Sequence, residues 1–247
     1  MSRRNQGCAL LAGAFMLSAA LADPAACSAR SAAGVNPLVE LYTSEGCSSC
    51  PPADRWLSGL ADDPNRVTLA WHVDYWDRLG WKDRFASPAH TRRQAAQQRS
   101  NGARFSYTPQ VVANGIDRPD WPRLPGAPHA DGPARATLEL GRSGDVVTAT
   151  VRSGPGTPAR LSAYWAVTEN GHATQVRAGE NEGARLVHDH VVREALDVPA
   201  WTARADAPTL LRFTPQMPAT AGHPRQVNLV LLDAATGRPV QALKLGC

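Results

Sequence analysis

Two cysteines in the stretch Cys47-Ser48-Ser49-Cys50 are the groups of this chain best suited to chemistry. A thiolate attacks disulfides, and a second thiol one turn on resolves the mixed disulfide that results. The pair follows a short apolar run (residues 37–42) and directly precedes Pro51-Pro52. Proline suits the first turn of a helix, where amide donors are unpaired anyway. A helix N-terminus also carries the positive end of the peptide dipole and lowers the pKa of a thiol placed there. By this logic Cys47 attacks and Cys50 resolves. Two other uses of the motif stay open. The thiolates can hold copper or zinc with help from a histidine, or the pair can be an inert bridge inside a non-catalytic binding module. No second C-x-x-C and no H-x-x-x-H follows to complete the four ligands of a zinc site. No cofactor is expected.

The start of the chain bears on which compartment the thiols meet. Ser2-Arg3-Arg4 precedes residues 8–22, an uncharged apolar run that ends in Ala20-Leu21-Ala22. A basic n-region, a short apolar core and an A-x-A site read as a cleaved signal peptide, and the run is too short to span a bilayer comfortably. A periplasmic or secreted protein, with no stable membrane insertion after cleavage, is the expectation. Cleavage removes Cys8 and leaves Cys27, Cys47, Cys50 and Cys247. An even number of cysteines in an oxidising compartment predicts disulfides. Cys27 and Cys247 stand at opposite ends of the mature chain, and domain termini are often close in space, so a structural Cys27–Cys247 bridge is expected. The formal charge of +4 falls further with Arg3 and Arg4, and the arginines are scattered without a basic block. Nucleic acid is thereby disfavoured as a partner.

Residues 37–42 read as a strand, residues 67–73 as a second strand, and residues 88–100 as a helix with Ser87 as N-cap and Pro88 in its first turn. Gln110-Val111-Val112-Ala113 reads as a third strand, closed by the hairpin turn Asn114-Gly115. With a helix after Cys50, the β-α-β-α-β order predicts an α/β layer structure. Pro119, Pro122, Pro125, Pro128 and Pro133 mark residues 118–133 as a connector. Beyond it the pattern changes to period two, as in Val147, Ala149 and Val151 or Leu161, Ala163, Trp165 and Val167. Six or seven such strands, with a second turn at Asn170-Gly171, predict a β-rich, sandwich-like C-terminal domain. The expected division is a signal peptide (1–22), an N-terminal extension (23–36), an α/β domain (37–117), the connector (118–133) and the β-rich domain (134–247).

Trp71, Tyr75, Trp76 and Trp81 crowd the end of the second strand and the loop after it. Trp76 and Trp81 read either as part of an aromatic lip that docks a peptide or as anchors of a buried loop. His188 and His190 alternate on a candidate strand over residues 186–192. Such a pair can bind copper or zinc, but with no third ligand in view it reads as an ordinary solvent-facing pair.

Leu38–Leu41, the C-x-x-C, and Thr108-Pro109 opening the strand that ends in Asn114-Gly115 together resemble the strand, redox motif and cis-proline strand of thioredoxin-like proteins. Three longer blocks, Val39-Glu40-Leu41-Tyr42-Thr43-Ser44-Glu45-Gly46 running into the C-x-x-C, His72-Val73-Asp74-Tyr75-Trp76-Asp77-Arg78-Leu79-Gly80-Trp81, and Tyr107-Thr108-Pro109-Gln110-Val111-Val112, are similar to the DUF1223 family of exported, thioredoxin-like bacterial proteins. Arg177-Ala178-Gly179-Glu180-Asn181-Glu182-Gly183 extends that likeness downstream. The resemblance implies a thioredoxin-like domain over residues 37–117 and a cis bond between Thr108 and Pro109. It also implies that this turn faces the cysteines and positions a protein or peptide thiol or disulfide substrate. A thiol–disulfide oxidoreductase working through Cys47 and Cys50 is the function it favours.

Overall fold

The computed structural model describes residues 27–60, 63–124, 126 and 132–247; the expected signal peptide lies outside them. The chain enters through β1 (Cys27–Arg30) and β2 (Leu38–Thr43). β2 is buried on both faces because its two sets of side chains meet different layers. Val39 and Leu41 pack with Ala53 and Leu57 of α1 (Pro51–Ser58). Leu38 and Tyr42 pack on the other side with Val67, Leu69 and Trp71 of β3 (Val67–His72). β2 and β3 are parallel, in register from Leu38 opposite Val67 to Thr43 opposite His72.

α2 (Pro88–Ser100) begins where Ser87 Oγ accepts the Ala89 N–H at 3.1 Å. Its Arg93 holds it to the sheet. The guanidinium lies 4.5 Å from the Trp71 ring centroid and 3.8 Å from that of Tyr164, and donates to Glu40 Oε1 at 2.8 Å. β4 (Gln110–Ala113) runs antiparallel to β2, and Asn114-Gly115, both at positive φ, turn it into β5 (Ile116–Asp117).

Beyond the connector come β6 (Ala136–Ser143), β7 (Val146–Ser153), β8 (Arg160–Glu169), β9 (His172–Gln175), β10 (Arg185–His188), β11 (Val191–Thr202), β12 (Thr209–Phe213), β13 (Arg225–Asp233) and β14 (Pro239–Leu245). β1, β6, β7 and β12 form a four-stranded sheet. It covers one face of β8, β13 and β14, with Leu138, Leu140, Val147, Ala149, Trp165, Leu229 and Leu243 among the residues between them. Trp165 stacks on Phe213 at 5.3 Å there. β9 and β10 stand apart as an antiparallel pair, joined by residues 176–184. The turn at Gly171 therefore leads from β8 into a different sheet instead of closing a hairpin on it.

The expected α/β thioredoxin-like layer followed by a separate β-rich domain is not the architecture found. β3 pairs on its far side with β11, so the first-half strands join those of the second half in one eight-stranded mixed sheet, ordered β14-β13-β8-β11-β3-β2-β4-β5. Strands dominate, with two α-helices among the described residues. The physical reason lies in β3. All six of its residues are buried, so an open edge there would leave buried amides and carbonyls unpaired. Val191 opposite Ala70, with the Ala70 N–H donating to the His190 carbonyl at 2.8 Å, closes that edge.

Candidate functional site

After β2 the chain turns through Ser44-Glu45-Gly46, and the Cys47 N–H donates to the Ser44 carbonyl at 3.1 Å. Gly46 is needed for close approach, since a Cβ there would sit 3.1 Å from Trp76 Cβ. Cys50 occupies the N-cap of α1 and Cys47 lies one turn ahead of it, with the Cys50 N–H bonded to the Cys47 carbonyl at 3.2 Å. The two are joined as a disulfide with Cα atoms 5.4 Å apart. Both cysteines are 0% exposed, while Ser48 and Ser49 between them face solvent. Cys27 and Cys247 form the second disulfide, with Cα atoms 6.0 Å apart.

The Thr108–Pro109 bond is cis, and Thr108 Oγ1 donates to Cys47 Sγ at 3.3 Å. The Ser49 hydroxyl lies 3.4 Å from the same sulfur. Trp76 Nε1 donates to Thr108 Oγ1 at 2.8 Å, so the indole orients the hydroxyl that touches Cys47. Trp81 is used differently: its Nε1 donates to Glu45 Oε2 at 2.8 Å. Both tryptophans are half-buried and both indole N–H groups serve the cysteine loop.

Beneath the loop lies a buried polar cluster of Glu45, Asp54, His72, Asp83 and His188. His72 Nδ1 meets Asp83 Oδ2 at 2.6 Å, and Asp83 Oδ2 also accepts the Glu45 N–H at 2.9 Å. Burial opposes the charge on both partners. The proximity of His72 nevertheless holds the Asp83 carboxyl down to about 2, and Asp83, reinforced by Asp54 and Glu45, raises His72 above the ordinary imidazole value. Burial also disfavours ionised Glu45, but the nearby His188 and Thr174 side chains and the Trp81 N–H outweigh it and lower its pKa. In Asp54 burial wins and raises it, against His188, His72 and the Thr43 hydroxyl.

His188 and His190 are not the solvent-facing pair the alternation suggested. The strand expected over residues 186–192 breaks at His190, which has a φ of 57°. His188 ends β10 at 2% exposure, its Nε2 3.4 Å from Glu45 Oε1 and its ring 4.9 Å from that of His72. His190 is buried elsewhere, and desolvation pushes its pKa down to about 4. Among the described residues no group of three or more His, Cys, Asp or Glu side chains is placed to hold a metal ion.

The tip of the β9–β10 hairpin reaches the same loop. Glu180 Oε2 accepts from the Ser48 N–H at 3.0 Å and from its hydroxyl at 2.8 Å. Asn181 Nδ2 donates to the carbonyls of Glu45 and Cys47, both at 2.9 Å. These contacts span more than 130 residues of sequence. No local pattern announces them; the sequence signal here is the family likeness over residues 177–183, which assigns no role to Glu180 or Asn181. Glu45, Asp54 and Asp83 carry no sequence signal either, because a single buried carboxylate has no spacing signature.

The profile of a protein family of unknown function, DUF1223, matches residues 38–231. The chain belongs to the DUF1223 family. The match takes in the cysteine loop, Thr108-Pro109 and the Glu180-Asn181 hairpin tip together. Among solved structures, the chain is similar to that of protein AGR_C_4864 from Agrobacterium tumefaciens, at 27% identity and a TM-score of 0.62, over 86% of this chain and 94% of that one. It is also similar to HBP35 of Porphyromonas gingivalis, at 18% identity and a TM-score of 0.59, over 87% and 76% respectively, a likeness of fold alone. These neighbours are sandwich-like, in line with the mixed-sheet architecture described above. No curated protein matches the chain.

Proposed function

We propose that this DUF1223 chain is an exported thiol–disulfide oxidoreductase that exchanges Cys47 and Cys50 with cysteines of a protein or peptide. The observation that carries the reading is the contact of two hydroxyls, Thr108 Oγ1 and Ser49 Oγ, with the sulfur of Cys47. Hydroxyl donors favour the thiolate over the thiol. A substrate thiolate attacks Cys47 Sγ, the disulfide breaks, and its electron pair leaves on Cys50 Sγ, which takes up a proton. A second substrate thiolate then attacks the substrate sulfur of the mixed disulfide, and Cys47 departs as the thiolate that Thr108 and Ser49 stabilise. The substrate leaves as a disulfide and the protein as a dithiol, two electrons richer. Run backwards, the same steps reduce a substrate disulfide.

Two disulfides within the chain support an oxidising compartment, periplasmic or extracellular. Among the described residues no helix is long and apolar enough to cross a membrane.

The test is mixed-disulfide trapping in a cell that exports the protein. With Cys50→Ser, Cys47 stays attached to its substrate, and adducts sensitive to reductant accumulate. With Cys47→Ser added they vanish. Absence of adducts from the single variant counts against exchange.

A further inference from the structure

A disulfide meant for exchange must be reached by a sulfur from outside, yet Cys47 and Cys50 are both 0% exposed. The tip of the β9–β10 hairpin is bonded across their loop. Its four hydrogen bonds occupy one main-chain donor, the Ser48 N–H, two main-chain acceptors, the Glu45 and Cys47 carbonyls, and the Ser48 hydroxyl. A main-chain donor and two main-chain acceptors are groups that the backbone of a bound polypeptide can also engage. The side chains of Glu180 and Asn181 thus stand where a substrate's backbone would bind.

We propose that Glu180 and Asn181 form a gate over the disulfide that an incoming polypeptide displaces by taking over its hydrogen bonds, making them specificity-determining residues that favour polypeptide over small thiols. This rests on the exchange reading above.

Three features suit such a gate. Among the described residues β9 and β10 pair with each other and with neither large sheet. Glu180 is flanked by Gly179 at φ 77° and followed by Gly183 at φ 84°, so the tip is bounded by residues free to change backbone conformation. The contact between Glu180 and Ser48 is exposed to solvent, where water readily replaces a lost partner. In its closed position the tip rests on Trp81, whose Cβ lies 3.4 Å from the position a Gly179 Cβ would take.

The experiment compares two reductants on the oxidised, full-length mature protein: dithiothreitol, and reduced, unfolded lysozyme as a polypeptide dithiol. In each case the disulfide and the dithiol exchange two electrons, giving protein dithiol and reductant disulfide. Quenching by alkylation followed by peptide mapping reads Cys47–Cys50 separately from Cys27–Cys247. Glu180→Ala with Asn181→Ala should speed reduction by dithiothreitol about tenfold or more, the effect of losing the two part-buried Asn181 bonds to main-chain carbonyls, with a smaller gain for the polypeptide. Gains below twofold for both reductants, or equal gains for both, overturn the gate. Asn181→Ala alone, which removes the donor to both carbonyls, supplies the same comparison if the double variant misfolds. If both reductants leave the disulfide intact in wild type and variants alike, the exchange reading fails and the gate with it.

Discussion

The hydroxyl of Thr108 donates to the sulfur of Cys47 at 3.3 Å, across 61 residues of sequence, while the same oxygen accepts from Trp76 Nε1 at 2.8 Å. Because the indole fills the oxygen's acceptor side, the hydroxyl proton is turned toward the sulfur. On reduction that proton meets a thiolate.

The Cys47 thiol should therefore ionise below the free value of about 8.5. Thr108→Val removes the donor and keeps the shape, and should raise the Cys47 pKa by about one unit, the worth of a hydrogen bond to a charged group. The pH profile of iodoacetamide alkylation in the reduced protein gives both numbers. An unmoved midpoint would refute the role of the Thr108 hydroxyl, and faster alkylation of Cys50 than of Cys47 would reverse the assignment of roles.

A second expectation concerns stability against pH. His72 has a folded pKa raised above its ordinary value of 6.5, so its contribution is full below 6.5 and is lost as pH rises through the folded value. Asp83 has a folded pKa lowered from 3.8 to about 2, so its contribution is full above 3.8 and is lost as pH falls through about 2. Together they define a window between these limits in which the buried pair stabilises most. His72→Gln should lower the urea midpoint most within that window, by the equivalent of about 3–5 kcal/mol, since it leaves Asp83 buried without its partner. A difference from wild type that stays constant between pH 5 and pH 9 would mean that the pair is not charged in the folded protein.

Much of the local structure was open to reading in the chain itself. The Ser87 cap, the Asn114-Gly115 turn and the strand before the cysteines rest on backbone rules that act over a few residues, and they stand where those rules put them. What the sequence hid is what long-range pairing decides. Nothing in residues 67–72 names Val191 as the partner of Ala70, yet that single bridge merges the two halves into one sheet and removes the expected α/β layer. The same holds at the site. The two cysteines and Thr108-Pro109 carry patterns that point to one site, whereas the spacing of His188 with His190 and the likeness over residues 177–183 say nothing of the cysteine loop that His188, Glu180 and Asn181 reach.

The attachment of α2 gives a third prediction. Glu40 is buried and accepts from Arg93, from Trp71 Nε1 at 3.2 Å and from the Tyr164 hydroxyl at 3.0 Å, all at Oε1. Arg93→Met removes the cation but preserves much of the contact with the Trp71 and Tyr164 rings. It should cost about 3–5 kcal/mol in urea unfolding, because a carboxylate is left without its countercharge. Adding Glu40→Gln should recover most of that loss. If the double variant is as unstable as Arg93→Met alone, the ring contacts and not the ion pair hold the helix.

Whether Cys47 and Cys50 exchange at all is decided by the reduction potential of the pair. It is measured by equilibrating the protein in dithiothreitol and glutathione redox buffers and quantifying each disulfide by alkylation and mapping. An exchanging pair should lie above about −300 mV and respond to Thr108→Val, while inert structural disulfides lie below that value. A potential below −300 mV that is unchanged by Thr108→Val would contradict the account and leave Cys47–Cys50 as a structural bridge.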